Sequence, residues 1–193
     1  MIIGITGGTG CGKTTLLNLI QQQGGLVLDC DAIYHQLLRE DPRLLEAIEC
    51  RFPGTVKDGV LQRKELGSIV FADAQALLDL NRITHSAVKA EVLRRLQPRP
   101  ELAAIDAIAL FEGGLAELCD ITVAVITPRE DRIHRLMARD GITAAYAQKR
   151  IDAQKDDAWF RERCDVTLEN NGTPQEFIAK CLAFFDRFGI IKR

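Results

Sequence analysis

The 193-residue sequence has no Cys-x-x-Cys pair, no internal repeat and no low-complexity tract beyond Gln21-Gln22-Gln23. Nor does any uncharged apolar run approach the roughly 18 residues of a membrane-spanning helix. Each absence removes a class. Six cysteines (Cys11, Cys30, Cys50, Cys119, Cys164 and Cys181) lie scattered, which argues against a zinc knuckle or a disulfide framework and for a reducing compartment. Lys and Arg number 25 against 27 Asp and Glu, so no global positive charge steers the chain to nucleic acid or to an anionic membrane. Any polyanion must be met locally. The opening Met1-Ile2-Ile3-Gly4-Ile5-Thr6 is apolar without a basic leader region. A soluble, unexported cytoplasmic protein is expected, without nucleic-acid or membrane partners and a monomer rather than an oligomer. The length suits one domain with a sizeable core.

What is present begins with Gly7-Gly8-Thr9-Gly10-Cys11-Gly12-Lys13-Thr14, which fits the phosphate-binding pattern G-x-x-x-x-G-K-[ST] at every specified position. An apolar strand precedes it and a helix-like run from Thr15 to Ile20 follows. In that context backbone N–H groups and a helix N-terminus converge on an anion. Glycines let the loop visit positive φ and bring bare backbone against phosphate oxygens. Gly8, Thr9, Gly10, Cys11, Gly12, Lys13, Thr14 and Thr15 are therefore the candidate nucleotide-binding residues. Lys13 is expected to reach the β- and γ-phosphates, and the Thr14 hydroxyl to ligate Mg²⁺. Cys11 reads either as a small residue tolerated in a tight loop or as a thiol activated by positive surroundings.

Along the chain, strands are expected at the N-terminus, at Leu26–Cys30, within 102–111 with open limits, at Ile121–Ile126 and at Asp165–Leu168. Helices are expected at Ala32–Arg39, at Pro42–Arg51, almost throughout Arg63–Gln97, at Pro128–Arg139, and from Thr173-Pro174 to about Phe188. Apolar strands alternating with helices imply an α/β fold, a mainly parallel five-stranded sheet covered on both faces in a three-layer α/β/α arrangement. Ligands of such sheets bind at the strands' carboxyl ends, where the glycine loop, Asp31 and Glu112 all fall.

A guanine-specific GTPase would show Asn-Lys-x-Asp, which is absent. A small-molecule kinase needs a substrate pocket and mobile arginines that neutralise the transferred phosphoryl group. Arg132, Arg135, Arg139 and Arg150 lie between the fourth and fifth strands, where such a lid belongs, although charge runs are commonly solvated helix faces. Asp31 reads as a residue orienting an acceptor hydroxyl or as a helix cap. Glu112 reads as an aid to the metal through water or as a helix-start charge. His85 reads as a packing or substrate-pocket residue rather than a catalyst, and Trp159 and Phe160 as core or lid packing rather than an adenine platform.

The ordered blocks resemble the dephospho-coenzyme A kinase family nearly end to end. Thr6 to Thr14 matches its opening, with Thr9 and Cys11 as departures. Asp29-Cys30-Asp31 matches D-A-D, followed by His35 where many members have arginine. Asp58, Gly59, Leu61, Arg63, Leu66, Val70 and Phe71 match a second block in which Gln62 replaces aspartate. Leu80-Asn81-Arg82-Ile83-Thr84-His85 matches L-N-x-I-x-H, with Ser86 where proline is usual. Leu110-Phe111-Glu112, Arg135-Leu136 with Arg139-Asp140, Arg150-Ile151 with Gln154, and Asp165 with Asn170-Asn171-Gly172 complete the series.

The resemblance implies transfer of the ATP γ-phosphoryl group to the ribose 3′-hydroxyl of dephospho-coenzyme A. It implies a core of about 1–57, 98–134 and 156–193, a helical substrate-binding insertion of about 58–97 and a lid of about 135–155. It assigns Asp31, Lys13 and Arg139 to catalysis, Arg139 and Arg150 also to the nucleotide, and Asp31, Arg63, Asn81, His85 and Glu112 to the substrate. Another small-molecule or nucleoside kinase, and a non-catalytic nucleotide-binding module, are the alternatives.

Overall fold

Strand β1 (Ile2–Thr6) is buried along its whole length, which is possible only if both faces of the sheet around it are covered. The computed structural model describes residues 1–190. After β1 come α1 (Lys13–Gln22), β2 (Leu26–Asp29), α2 (Cys30–Glu40), α3 (Pro42–Arg51), β3 (Val56–Lys57), β4 (Val60–Leu61), α4 (Arg63–Val70) and α5 (Ala74–Arg95). The remainder is β5 (Ala103–Asp106), a single 3₁₀ turn, β6 (Ile121–Ile126), α6 (Arg129–Asp140), α7 (Ala144–Asp152), α8 (Asp157–Arg163), β7 (Val166–Glu169) and α9 (Pro174–Arg187). Two compact units result. One holds Met1–Leu28, Pro100–Leu110 and the described chain from Ala116 onward; the other holds Asp29–Arg99 with Phe111–Leu115.

In the first unit the five-stranded sheet runs β2-β5-β1-β6-β7. The registers of β1 with β5, β1 with β6 and β6 with β7 are all parallel. Side chains alternate across it as a period of two demands. Ile3, Ile5, Val123 and Val125 pack on one face with Leu16, Leu17 and Ile20 of α1 and Phe177, Cys181, Phe184 and Phe185 of α9. Ala124 and Ile126 point the other way, onto Phe160 of α8. Gly4 is glycine because a Cβ there would lie 2.7 Å from the Cys119 sulfur and 2.9 Å from a Leu110 methyl. Truncating a core residue such as Phe185 to alanine costs about 3–5 kcal/mol in comparable cores. Helix α9 starts where its sequence says it should: Thr173 and Glu176 form a reciprocal capping box, and Pro174 occupies the first turn.

In the second unit, Leu38, Leu44, Leu45, Ile48 and Phe52 share one core with Leu66, Val70 and Ala76. Helices α2 and α3 bury their apolar faces against α4 and α5, so all four belong to this unit. Two expectations are narrowed. The helix expected over 63–97 is two helices, broken at Phe71–Asp73, where Asp73 caps α5 through the Gln75 amide at 2.8 Å. The third strand is confined to Ala103–Asp106, and Ile108–Gly114 is turn. Asp58-Gly59 is the tip of a small hairpin, with Val56 opposite Leu61.

Asp165 fastens the open end of the sheet: its carboxylate accepts from the Thr122 amide at 2.8 Å and the Thr122 hydroxyl at 2.7 Å. Those two bonds, the hydroxyl first, hold its carboxyl below the usual range. A depressed pKa means stabilisation that is present above about pH 4 and lost as the pH falls through the folded value. Asp165→Ala is expected to lower the melting temperature at pH 7 by a few degrees. The gap between the two proteins should narrow as thermal melts are taken below pH 4; a gap independent of pH would show that the carboxylate's charge contributes nothing.

Candidate active site

The loop leaving β1 is held in a shape that ordinary side chains resist. Gly7, Gly10 and Gly12 have φ of 136°, 79° and 91°. A Cβ on Gly7 would strike the Val125 carbonyl, and one on Gly12 the Asn170 amide nitrogen. Gly12 is the N-cap of α1 and supplies no side-chain cap, so the first helical N–H groups remain directed at whatever lies beyond the helix end. Lys13 folds back so that its Nζ donates to the Gly7 carbonyl at 3.1 Å and lies 3.9 Å from Asp106 at the end of β5. Thr14 is exposed on the first turn.

Residues that follow the other strands grip the loop from behind. Asn170, just past β7, is 6 % exposed; its side-chain amide donates to the Cys11 carbonyl at 3.0 Å. The Thr127 hydroxyl, just past β6, lies 2.8 Å from the same carbonyl. Arg132, 4 % exposed on α6, donates from Nε to the Thr9 carbonyl at 2.9 Å and from Nη2 to Gln154 Oε1 at 3.2 Å. Gln154 Oε1 also accepts from the Thr9 amide at 2.7 Å. Burial pushes the Arg132 guanidinium below its ordinary pKa. Gly8, whose φ is unremarkable, is glycine because a Cβ would run into that guanidinium. Arg135 adds longer contacts of 3.5 Å to the Gly10 and Cys11 carbonyls. It also lines a cleft of about 480 Å³ with His134, Asn171 and Thr173.

The expected site residues fall into two sets. Gly8 to Thr15 with Arg139 and Arg150 belong to the first unit. Arg139 and Arg150 are both held by Asp140, Arg139 through Nε at 2.7 Å and Nη2 at 3.0 Å, Arg150 at 2.6 Å. Those bonds, Arg139's foremost, bring the Asp140 carboxyl down to about 2. The arginines that contact the loop are thus Arg132 and Arg135. Cys11 is buried, and burial raises its thiol pKa, so the loop cysteine is an inert small side chain.

Asp31, Arg63, Asn81, His85 and Glu112 belong to the second unit. The cap of α2 is Asp29, which accepts from the Ala32 amide at 3.0 Å. Asp31 is an exposed residue of the first turn with no part in that cap. Arg63 Nη2 lies 3.4 Å from His35 Nδ1, so the His35 departure sits beside a matched residue. Asn81 and His85, four apart on α5, share a helix face. Glu112 lies exposed in the turn after β5, and no helix starts there. Phe160 is core, with Trp159 edge-on to it at 5.2 Å. Sequence reasoning passes over Thr127, whose only signal is a polar residue closing an apolar strand. It also leaves Arg132 undistinguished from its neighbours.

The family model for dephospho-CoA kinase matches residues 1–176. A dephospho-CoA kinase of Anaeromyxobacter dehalogenans is 37 % identical, covering 93 % of this chain and 88 % of its own. That of Geobacter sulfurreducens is 34 % identical, covering 91 % and 92 %. Among solved structures, the dephospho-CoA kinase of Campylobacter jejuni superposes with a TM-score of 0.69 at 26 % identity, covering 97 % and 96 %. A shikimate kinase of Bacteroides thetaiotaomicron, at 15 % identity and a TM-score of 0.59, shares the fold.

Gly12→Ala tests the loop. A left-handed conformation costs an ordinary residue about 1–2 kcal/mol, and the new methyl must displace the Asn170 amide. The variant's dissociation constant for a magnesium nucleoside triphosphate, measured by calorimetry, is expected to rise at least tenfold. An unchanged constant would mean that the loop does not bind phosphate in this form.

Proposed function

The chain belongs to the dephospho-CoA kinase family, and from that membership we propose how its own residues carry the reaction. It is an ATP-dependent phosphotransferase that phosphorylates the ribose 3′-hydroxyl of dephospho-coenzyme A, giving coenzyme A and ADP at the last step of coenzyme A biosynthesis. The observation that carries this reading is a complete, pre-shaped phosphate loop inside a match that spans residues 1–176.

Phosphoryl transfer asks for positioning and charge compensation more than for covalent chemistry. The amides at the start of α1 receive phosphate oxygens, and Lys13 turns from the Gly7 carbonyl toward them. The cleft that Arg135 lines with Asn171 and Thr173 receives the base of the nucleotide. Among the described residues no three His, Cys, Asp or Glu side chains gather as a metal cage. Mg²⁺ would be held by the exposed Thr14 hydroxyl together with substrate phosphates, where it would neutralise charge that develops on them. Asp31 orients the acceptor hydroxyl and takes its proton. Arg63, Asn81 and His85, within a helical substrate region of about 58–97, bind dephospho-coenzyme A together with Glu112 from the turn after β5. Arg139 and Arg150 leave Asp140 to meet the transferred group when a lid of about 135–155 closes.

The enzyme acts on a small molecule, as a cytoplasmic monomer without nucleic-acid partners. No helix among the described residues is long and apolar enough to cross a membrane.

Because Asp29 already caps α2, Asp31→Asn leaves the helix start intact. It is expected to lower kcat by two orders of magnitude or more with a melting temperature within about 2 °C of wild type. An equally stable variant with normal kcat would remove Asp31 from the chemistry. For the acceptor, purified protein with Mg²⁺ and ATP should convert dephospho-coenzyme A and leave adenosine, shikimate and nucleoside monophosphates nearly untouched. A higher kcat/KM on any of these three would sink the substrate assignment.

A further inference from the structure

We infer that Gln154 is a positioning residue for the phosphate loop, through which the α7–α8 connection sets the loop's readiness for nucleotide. The inference rests on the kinase reading above and adds to it a residue whose side-chain oxygen holds the loop's Thr9.

Thr9 lies in the middle of the glycine run, where the flanking Gly8 and Gly10 leave its two peptide planes free to rotate. Both are pinned instead. The Thr9 amide donates to Gln154 Oε1 at 2.7 Å, and the Thr9 carbonyl accepts from Arg132 Nε at 2.9 Å. Arg132 Nη2 closes the triangle onto the same Gln154 oxygen at 3.2 Å. Both groups facing Gln154 are donors, so its carbonyl oxygen must point inward and its amide nitrogen away; a flipped amide would set donor against donor. Thr9 is 9 % exposed and Arg132 4 %, so bulk water is poorly placed to replace a lost acceptor.

The acceptor is delivered from outside the loop. Gln154 sits between α7 and α8, four residues beyond Arg150. Any displacement of this connection therefore takes away the partner of the Thr9 amide. By reciprocity, a nucleotide that needs Thr9 in its present orientation favours the arrangement in which the connection is docked. Asp157, at the start of α8, lies 3.8 Å from Arg132 Nη1 and steadies the arginine from the same side.

The test uses the full chain with Gln154→Leu, Gln154→Ala and Gln154→Glu. Leucine keeps the bulk and removes the acceptor, alanine removes both, and glutamate keeps an acceptor oxygen for each donor. Calorimetry with ATP and Mg²⁺ is expected to show dissociation constants at least fivefold weaker for the leucine and alanine variants and within threefold of wild type for glutamate. The KM for dephospho-coenzyme A should change by less than twofold in all three. A merely structural glutamine would shift the melting temperature and leave the ATP constant where it was.

A change below fivefold in the alanine variant overturns the inference, as does a glutamate variant impaired as much as the leucine one. Alanine, which adds no bulk, carries the comparison if leucine prevents folding. Failure of the kinase reading looks different: wild-type protein would still bind ATP yet transfer nothing to dephospho-coenzyme A.

Discussion

The backbone from Gly7 to Gly12 must pass through left-handed conformations while touching groups on every side, and most of the first unit's architecture follows from that requirement. The Val125 carbonyl fills the place of a Cβ on Gly7, the Arg132 guanidinium that of Gly8, and the Asn170 amide that of Gly12. A loop so confined has few conformations to lose when an anion arrives, which is where pre-organised binding gains its advantage. The constraint also explains why the supports are polar. A bare glycine loop has carbonyls that must be satisfied, and Arg132, Thr127 and Asn170 satisfy them from behind while the amides stay directed outward.

The sheet order makes those supports available. With β1 between β5 and β6, the chain reverses its direction of winding at β1, and residues just past β5, β6 and β7 meet around the loop. Asp106 is the last residue of β5, and Thr127 and Asn170 directly follow the last residues of β6 and β7. Side-chain alternation then settles the layers, with α1 and α9 on one face and α8 on the other. Site and core are thus consequences of one register: shifting β6 by one residue would turn Val123 and Val125 away from α1 and carry Thr127 off the loop.

Sequence alone reads what is local and strongly patterned. The glycine loop, the helix starts at Pro42 and Thr173 and the apolar strands announce themselves through spacing and composition. The break at Phe71–Asp73 is hidden because apolar periodicity runs on across it, while the Asp73 cap can be recognised only once the helix is known to begin at Ala74. The attachment of α2 and α3 to the helical body is likewise invisible, since it depends on Leu38, Ile48 and Phe52 meeting Leu66 and Val70 from other segments. At the site, spacing singles out Lys13 and Thr14. It says nothing of which arginine turns inward, and four arginines of similar appearance prove to differ: two contact the loop and two are held by Asp140.

That division bears on how a chain of net charge −2 handles a triphosphate. Long-range attraction is unavailable, so the favourable field must come from groups within a few ångströms. Of the cations near the loop, Arg132 is buried and committed to the Thr9 carbonyl and Gln154, and Lys13 faces Asp106 at 3.9 Å. Lys13 is thus paired with a carboxylate in this arrangement, while Arg132 and Arg135 are spent on the loop's own carbonyls. What remains directed outward is the row of backbone amides at the head of α1, which cannot be neutralised by a counter-ion without blocking the site itself.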